Sequence, residues 1–233
     1  MGIIEAKNIS YTYDDGTVAL KNIKIDIEEG EKIAIMGPNG AGKSTLLHLL
    51  CCIKIPSEGE LKLFNIHVKK HNANELRKRI GIIFQDPDDQ IFMPRVWDDV
   101  AFGPINLGLE EKEVRRRVEK YIDFVGIKEL ENRVPHHLSY GEKKKVAIAG
   151  VLAMEPEILL LDEPTANLDP RAQRDFIELI KSLKKTIVLA THDINLASIL
   201  ADRGYILKNE IIANGTLKEL FSNKAVIKEA FGI

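Results

Sequence analysis

Residues 37–45 read Gly37, Pro38, Asn39, Gly40, Ala41, Gly42, Lys43, Ser44 and Thr45, and no other stretch of the chain restricts its fold so tightly. The run fits G-x-x-x-x-G-K-[ST], a loop whose glycines let successive backbone N–H groups converge on one phosphate. It follows an apolar strand over Lys32–Met36 and opens a helix at Lys43, so the positive end of that helix faces the same anion. Lys43 is expected at the β- and γ-phosphates of a nucleotide, with Ser44 on Mg²⁺. A strand feeding such a loop and helix belongs to a parallel sheet, which commits this part of the chain to α/β architecture.

The flanking patterns agree. Ile3–Ile9 and Tyr11–Tyr13 read as antiparallel strand, broken by the turn Asp14-Asp15-Gly16, and Ile23, Ile25 and Ile27 alternate with charged residues at period two. Strands are also expected over Ile80–Phe84, Ile158–Leu161 and Thr186–Thr191, and helices over Asn74–Arg79 and Pro170–Lys184. Arg203–Asn214 reads as a hairpin turning at Lys208-Asn209-Glu210. Between Asp86 and Glu155 the texture changes. Proline and glycine punctuate 86–109 like a hinge, and then Val114, Val118, Tyr121, Ile122 and Val125 recur at helical spacing until Gly126. The expected division is therefore an α/β core with an N-terminal antiparallel β subdomain over 1–85 and 156–233, interrupted by an α-helical subdomain over 86–155.

A second cluster completes the chemistry. The apolar strand 158–161 ends in Asp162-Glu163, which places Asp162 at the carboxyl edge of the sheet to hold a Mg²⁺ water shell. Glu163 is then set to polarise an attacking water as general base. Capping of the following helix explains two carboxylates here but not their spacing to Pro164-Thr165.

With 45 % apolar and 29 % charged residues and a net charge of -2, nothing in the bulk electrostatics calls for nucleic acid. The adjacent Cys51 and Cys52 have no metal-ligand spacing and read as reduced core cysteines. No stretch approaches the roughly 20 apolar residues that cross a bilayer, and no signal peptide is read at residues 1–10. Arg115-Arg116-Arg117 is interleaved with Glu110, Glu111, Glu113 and Glu119 and reads as helical ion pairing. His67, His71, His136 and His137 read as solvated surface residues.

The run Leu138-Ser139-Tyr140-Gly141-Glu142 resembles the LSGGQ signature of the ATP-binding-cassette (ABC) ATPases, and Leu159–Asp169, LLLDEPTANLD, continues that resemblance. Gln85 looks like the family's Q-loop glutamine, His192 like its switch histidine, and Tyr13 falls where the family stacks an aromatic on adenine. The resemblance implies a P-loop NTPase (RecA-like) core that binds ATP with Mg²⁺. It also implies two ATPase subunits sandwiching two ATP molecules, as a homodimer or with a paralogue. Gln85 would then join Ser44 and Asp162 at the metal, and Ser139 and Gly141 would meet the γ-phosphate held by the opposite subunit. Lys43, Gln85, Glu163 and His192 would be the catalytic group. Tyr140 and Glu142 depart from the family's glycine and glutamine. Tyr140 requires a backbone conformation open to a side chain, and Ser139 with Glu142 has the spacing of a capping box.

The segments 84–92 and 97–104, with Leu138–Pro156, resemble the ATPases of energy-coupling-factor importers, closest to those serving cobalt and nickel uptake. A vitamin importer of the same class shares most of these motifs, and a soluble non-transport ABC ATPase is the remaining alternative. The implied setting is the cytoplasmic face of the cell membrane, with an integral-membrane subunit docking near 85–108. Ile91, Phe92, Met93 and Trp97 are either anchors for that partner or part of the helical subdomain's own core, and Asp86, Asp88 and Asp89 read as an acidic turn.

Overall fold

The computed structural model describes residues 2–232. In chain order, strands β1 (Gly2–Thr12), β2 (Val18–Glu28) and β3 (Lys32–Met36) lead into helix α1 (Lys43–Leu50). Strands β4 (Glu58–Leu63) and β5 (Ile66–His67), helix α2 (Ala73–Arg77) and strand β6 (Ile80–Ile83) follow. Next are helices α3 (Val96–Asn106), α4 (Glu111–Phe124) and α5 (Tyr140–Ala153), strand β7 (Ile158–Asp162) and helix α6 (Pro170–Ser182). Strand β8 (Thr186–Thr191), helix α7 (Ile194–Leu200), the hairpin β9 (Arg203–Lys208) and β10 (Glu210–Thr216), and helices α8 (Leu217–Ser222) and α9 (Lys224–Phe231) complete the described residues. No helix among them is long and apolar enough to cross a membrane.

The chain packs as two compact units. Unit 1 takes the residues up to Arg77, Ile158–Glu163 and the chain from Lys184 onward. It contains the antiparallel sheet β2-β1-β4-β5. In β2 the isoleucines at 23, 25 and 27 are buried and the charged residues between them exposed, as their alternation dictates. Strands β4 and β5 carry no comparable sequence signal, because Glu58–Leu63 holds only two apolar residues, Leu61 and Leu63, both buried. In the second sheet β3 lies between β8 and β9 and parallel to both, with β7 beyond β8 and β10 antiparallel to β9. All six residues of β8 and all five of β7 are buried, the reason their sequences are continuous apolar runs. Each fully buried isoleucine or leucine of this layer contributes roughly 1.5–3 kcal/mol.

Unit 2 takes Lys78–Glu157 and Pro164–Leu183. It therefore gathers 78–85 and 164–183, which the sequence pattern groups with the α/β core. Its centre is the packing of α3, α4 and α5 on one another. The segment read as a Pro/Gly hinge is helical over Val96–Asn106, with Pro104 inside it. Val96, Val100, Ala101 and Pro104 share one buried face, so packing against α5 overrides the helix-breaking tendency of proline. Carbonyls of Arg133 and Glu131 accept from Val96 N–H and Trp97 N–H and so satisfy two donors of the first turn.

Candidate active site

In unit 1 the loop 37–42 is pressed into place by backbone. A Cβ on Gly37 would stand 2.2 Å from the Leu207 carbonyl oxygen, and one on Gly42, at φ +96°, would meet Ala19 O at 2.8 Å. Only glycine fits either position. Asn209, in the β9–β10 turn at φ +59°, donates its N–H to Ala41 O and its side-chain amide to Ala19 O, each at 2.9 Å. That brace is a positioning role sequence reasoning missed. The turn chemistry of Asn209 is legible, but its reach to residues 19 and 41 is not.

Helix α1 begins at Lys43, whose Nζ donates to Gly37 O at 2.9 Å and Pro38 O at 3.2 Å. The same ammonium stands 3.1 Å from Glu163 Oε1, and both side chains are buried. Glu163, directly after the end of β7, has a φ of +38°, in the left-handed region. Thr191 Oγ1 donates to Glu163 Oε2 at 3.0 Å, His192 N–H reaches the same oxygen at 3.3 Å, and His192 Nδ1 lies 3.0 Å from Oε1. The imidazole itself is 57 % exposed, so one end is fixed to Glu163 and the rest is free to meet a ligand. Thr191 is a second positioning residue that sequence reasoning did not single out.

Asp162 is buried, and its Oδ1 has no hydrogen-bond partner among the described residues. Burial raises its pKa above the ordinary carboxylate value, and the neighbouring Glu163 charge pushes the same way. The Ser44 hydroxyl, hydrogen-bonded to the carboxylate, and the His48 and Lys43 charges oppose that rise. A buried oxygen left unpaired beside a hydroxyl is a donor set for a hard divalent cation, so these residues fit Mg²⁺. Thr45 Oγ1 and the Tyr13 hydroxyl share a hydrogen bond at 2.7 Å. The Tyr13 ring carries the Lys54 ammonium 4.9 Å from its centroid and meets Tyr11 edge-on. Unit 1 thus brings together Tyr13, the loop 37–45, Asp162, Glu163 and His192.

Gln85, Ser139 and Gly141 are carried by unit 2. Ser139 caps α5, and the capping box is complete: Glu142 N–H donates to Ser139 Oγ, while Ser139 N–H and Oγ both donate to Glu142 Oε2 at 2.8 Å. Those bonds hold the Glu142 carboxyl below its ordinary pKa. Tyr140 is the first helical residue of α5 and is not among the residues with positive φ, so its side chain costs no backbone strain. Its hydroxyl donates to the Gln85 carbonyl at 3.1 Å. Asp86 caps the short turn Pro87–Asp89, and Asp88 pairs with Lys143 at 2.7 Å, so this acidic turn is partly tied down.

Beside that turn, Phe84, Ile91, Phe92, Phe102, Gly103 and Met154 line a groove of about 300 Å³. Phe92 is 63 % exposed and packs edge-on against Phe102, whereas Ile91, Met93 and Trp97 are half-buried. The exposed Phe102 and Ile105 were not singled out from sequence, because the turn of α3 that presents them was read as hinge. Cys51 and Cys52 are free and buried, and burial pushes their thiols up to about 11 and about 12. Arg116 and Arg117 pair with Glu113 on α4 as the charge pattern predicts.

A family profile described as "ABC transporter" matches residues 20–166. A putative ABC transporter ATP-binding protein of Methanothermobacter marburgensis is 49 % identical over 99 % of this chain and 85 % of its own length. The energy-coupling factor transporter ATP-binding protein EcfA of Methanocaldococcus jannaschii is 46 % identical over the same shares. Among solved structures, cbiO1 of Clostridium perfringens, described as part of the ABC transporter complex cbiONQ, superimposes with a TM-score of 0.86 at 43 % identity, covering 98 % of this chain and 94 % of that one. A dimeric ATP-binding cassette in a post-hydrolysis state, bound to ADP and phosphate, gives 0.84 at 33 % identity, covering 92 % and 98 %.

Proposed function

The chain belongs to the ABC transporter family as an ATP-hydrolysing subunit, and from that premise we propose that it drives an energy-coupling-factor importer whose cargo is cobalt or nickel. The observation that carries the catalytic part is the placing of Glu163. Its carboxylate is buried between Lys43 on one side and Thr191 and His192 on the other, beside the unpaired oxygen of Asp162. The resemblance of Leu138–Pro156 to cobalt and nickel ATPases supports the cargo, and the EcfA relatives support the importer class.

In this reading the backbone N–H groups of 38–44 and the start of α1 hold the phosphates. Lys43 exchanges its carbonyl partners for β- and γ-phosphate oxygens. Ser44 and Asp162 would hold Mg²⁺, which when bound neutralises charge on the phosphate oxygens. Glu163 takes the proton of the attacking water, and His192, steadied through Nδ1, presents its ring to the γ-phosphate. Tyr13 stacks on adenine. Gln85 senses the nucleotide, and Ser139 with the Gly141 N–H meets the γ-phosphate held by a second ATPase subunit. The first turn of α5 suits that task because its positive end attracts an anion. Phe92, Phe102 and Ile105 offer apolar anchors to an integral-membrane partner, so the chain sits peripherally at the cytoplasmic face.

The test has two arms. Chains carrying Lys43→Ala and chains carrying Ser139→Arg should each be inactive, and mixing them should restore part of the ATPase activity by assembling one intact composite site. No recovery on mixing would reject the two-subunit site. Co-expression with the membrane components should support uptake of radiolabelled cobalt or nickel. Uptake of a labelled vitamin instead would move the chain to the vitamin importers of the same class.

A further inference from the structure

Three donors from consecutive turns of one helix converge on one short segment. Lys144, buried although it carries a charge, donates from Nζ to Phe84 O at 2.7 Å and to Gln85 O at 2.8 Å. Tyr140, one turn earlier on α5, donates its hydroxyl to the same Gln85 O at 3.1 Å. Lys143 pairs with Asp88 at 2.7 Å and is itself only 15 % exposed. The segment is fixed from its own side too, since Gln90 accepts from Phe84 N–H and donates to Ile82 O.

This arrangement is costly to build unless it is used. A buried ammonium needs strong acceptors, and the two carbonyls that leave the end of β6 supply them. Burial raises the Tyr140 pKa, so its hydroxyl keeps its proton and remains a donor. Both carbonyl lone pairs of Gln85 are then occupied by α5, one by Tyr140 and one by Lys144. The backbone of Gln85 can shift only if the first turns of α5 shift with it, or if two hydrogen bonds break.

We propose that Tyr140 and Lys144 are positioning residues that lock the backbone of Gln85 to the signature end of α5. Occupation of Ser139 and Gly141 by a phosphate and placement of the Gln85 side chain thereby become one event. This rests on the two-subunit reading above for what arrives at Ser139. The lock itself is independent of it. Tyr140, which stands where the family carries glycine, gains a use in this light: glycine could offer Gln85 no hydroxyl.

Amide hydrogen exchange on the full-length chain separates the two claims. Without nucleotide, Tyr140→Phe should speed exchange of 84–90 about 10-fold while leaving α4 and α6 unchanged, because only a local opening becomes easier. Tyr140→Phe keeps the ring and so the packing, and Lys144→Arg, which keeps a cationic donor, should come closer to wild type than Lys144→Met. Unchanged exchange of 84–90 in Tyr140→Phe overturns the lock. In the ATP-trapped Glu163→Gln background, wild-type residues at 140 and 144 should gain protection over 84–90 and 139–150 together. With Tyr140→Phe added, the second segment should keep its protection and the first should lose it. Equal protection of both segments in that variant overturns the coupling. If ATP protects 139–150 in neither background, the two-subunit reading has failed, and the nucleotide-free arm still decides the lock. The kinetic counterpart is a kcat lowered about 3- to 10-fold with KM for ATP unchanged, and no further loss when Tyr140→Phe is added to Gln85→Ala.

Discussion

The Lys43 ammonium stands 3.1 Å from Glu163 Oε1, both side chains nearly out of solvent, and the same carboxylate oxygen lies 3.0 Å from His192 Nδ1. One carboxylate is therefore the common partner of the residue proposed to grip phosphate and of the histidine proposed to meet its γ-phosphate.

Glu163→Gln should lower kcat for ATP by about 10²- to 10⁴-fold, the range expected when a general base is removed. The amide still accepts from Thr191 but draws no proton from water. The variant should retain ATP and shift to a dimer on size exclusion. Turnover near the wild-type rate would remove Glu163 from the base role.

His192→Ala should cut turnover strongly while nucleotide binding, read by a fluorescent ATP analogue, changes little. The side chain is 57 % exposed, so its loss costs little folding stability. A matching loss of binding and turnover would point to a structural role for the imidazole.

Mg²⁺ binding should weaken as pH falls, beginning above the usual carboxylate range. Burial raises the Asp162 pKa, the cation needs the ionised form, and protons compete with it as that pKa is approached from above. The sign for stability is opposite. A buried carboxylate with a raised pKa costs the fold most when ionised, so Asp162→Asn should melt higher than wild type at neutral pH without nucleotide, yet bind Mg²⁺–ATP weakly. Isothermal titration across pH, with thermal melts alongside, checks both halves.

Glu142→Ala should cost about 1 kcal/mol through loss of the capping box, a Tm drop of about 2–4 °C for a chain of this size. Glu142→Gln, which can still accept from Ser139 N–H, should cost less. A melt unchanged in Glu142→Ala would mean that the carboxylate does not support the helix end.

Cys51 and Cys52, with thiols pushed up to about 11 and about 12, should react with a disulfide reagent at neutral pH far more slowly in the folded chain than in denaturant. Fast native labelling would show that this end of α1 opens readily.

Much of the candidate site is legible in the sequence because its chemistry is local. Gly37–Thr45 is contiguous, and Asp162-Glu163 ends a strand whose continuous apolar run marks it as buried. The capping box at Ser139 and Glu142 was readable for the same reason. What sequence could not reveal is action at a distance. Asn209 braces residues 19 and 41, Thr191 steadies Glu163 across 28 positions, and Lys144 reaches back 60 residues to Phe84. None of these has a local signature beyond a turn residue, a strand residue and a charge on a helix. Helix α3 was hidden for another reason: Gly103-Pro104 signals a break, and only the packing of its buried face holds it helical.

The left-handed backbone at Glu163 bears on how this chain can change over generations. A φ of +38° strains any residue but glycine, and glycine there would strip the buried Lys43 ammonium of its carboxylate partner, so no substitution at this position is free of cost. With Glu163 as the general base proposed above, a lineage that no longer hydrolysed ATP would keep only the fold's reasons for a glutamate at 163, and the residue found there in a descendant becomes a record of which reason held it.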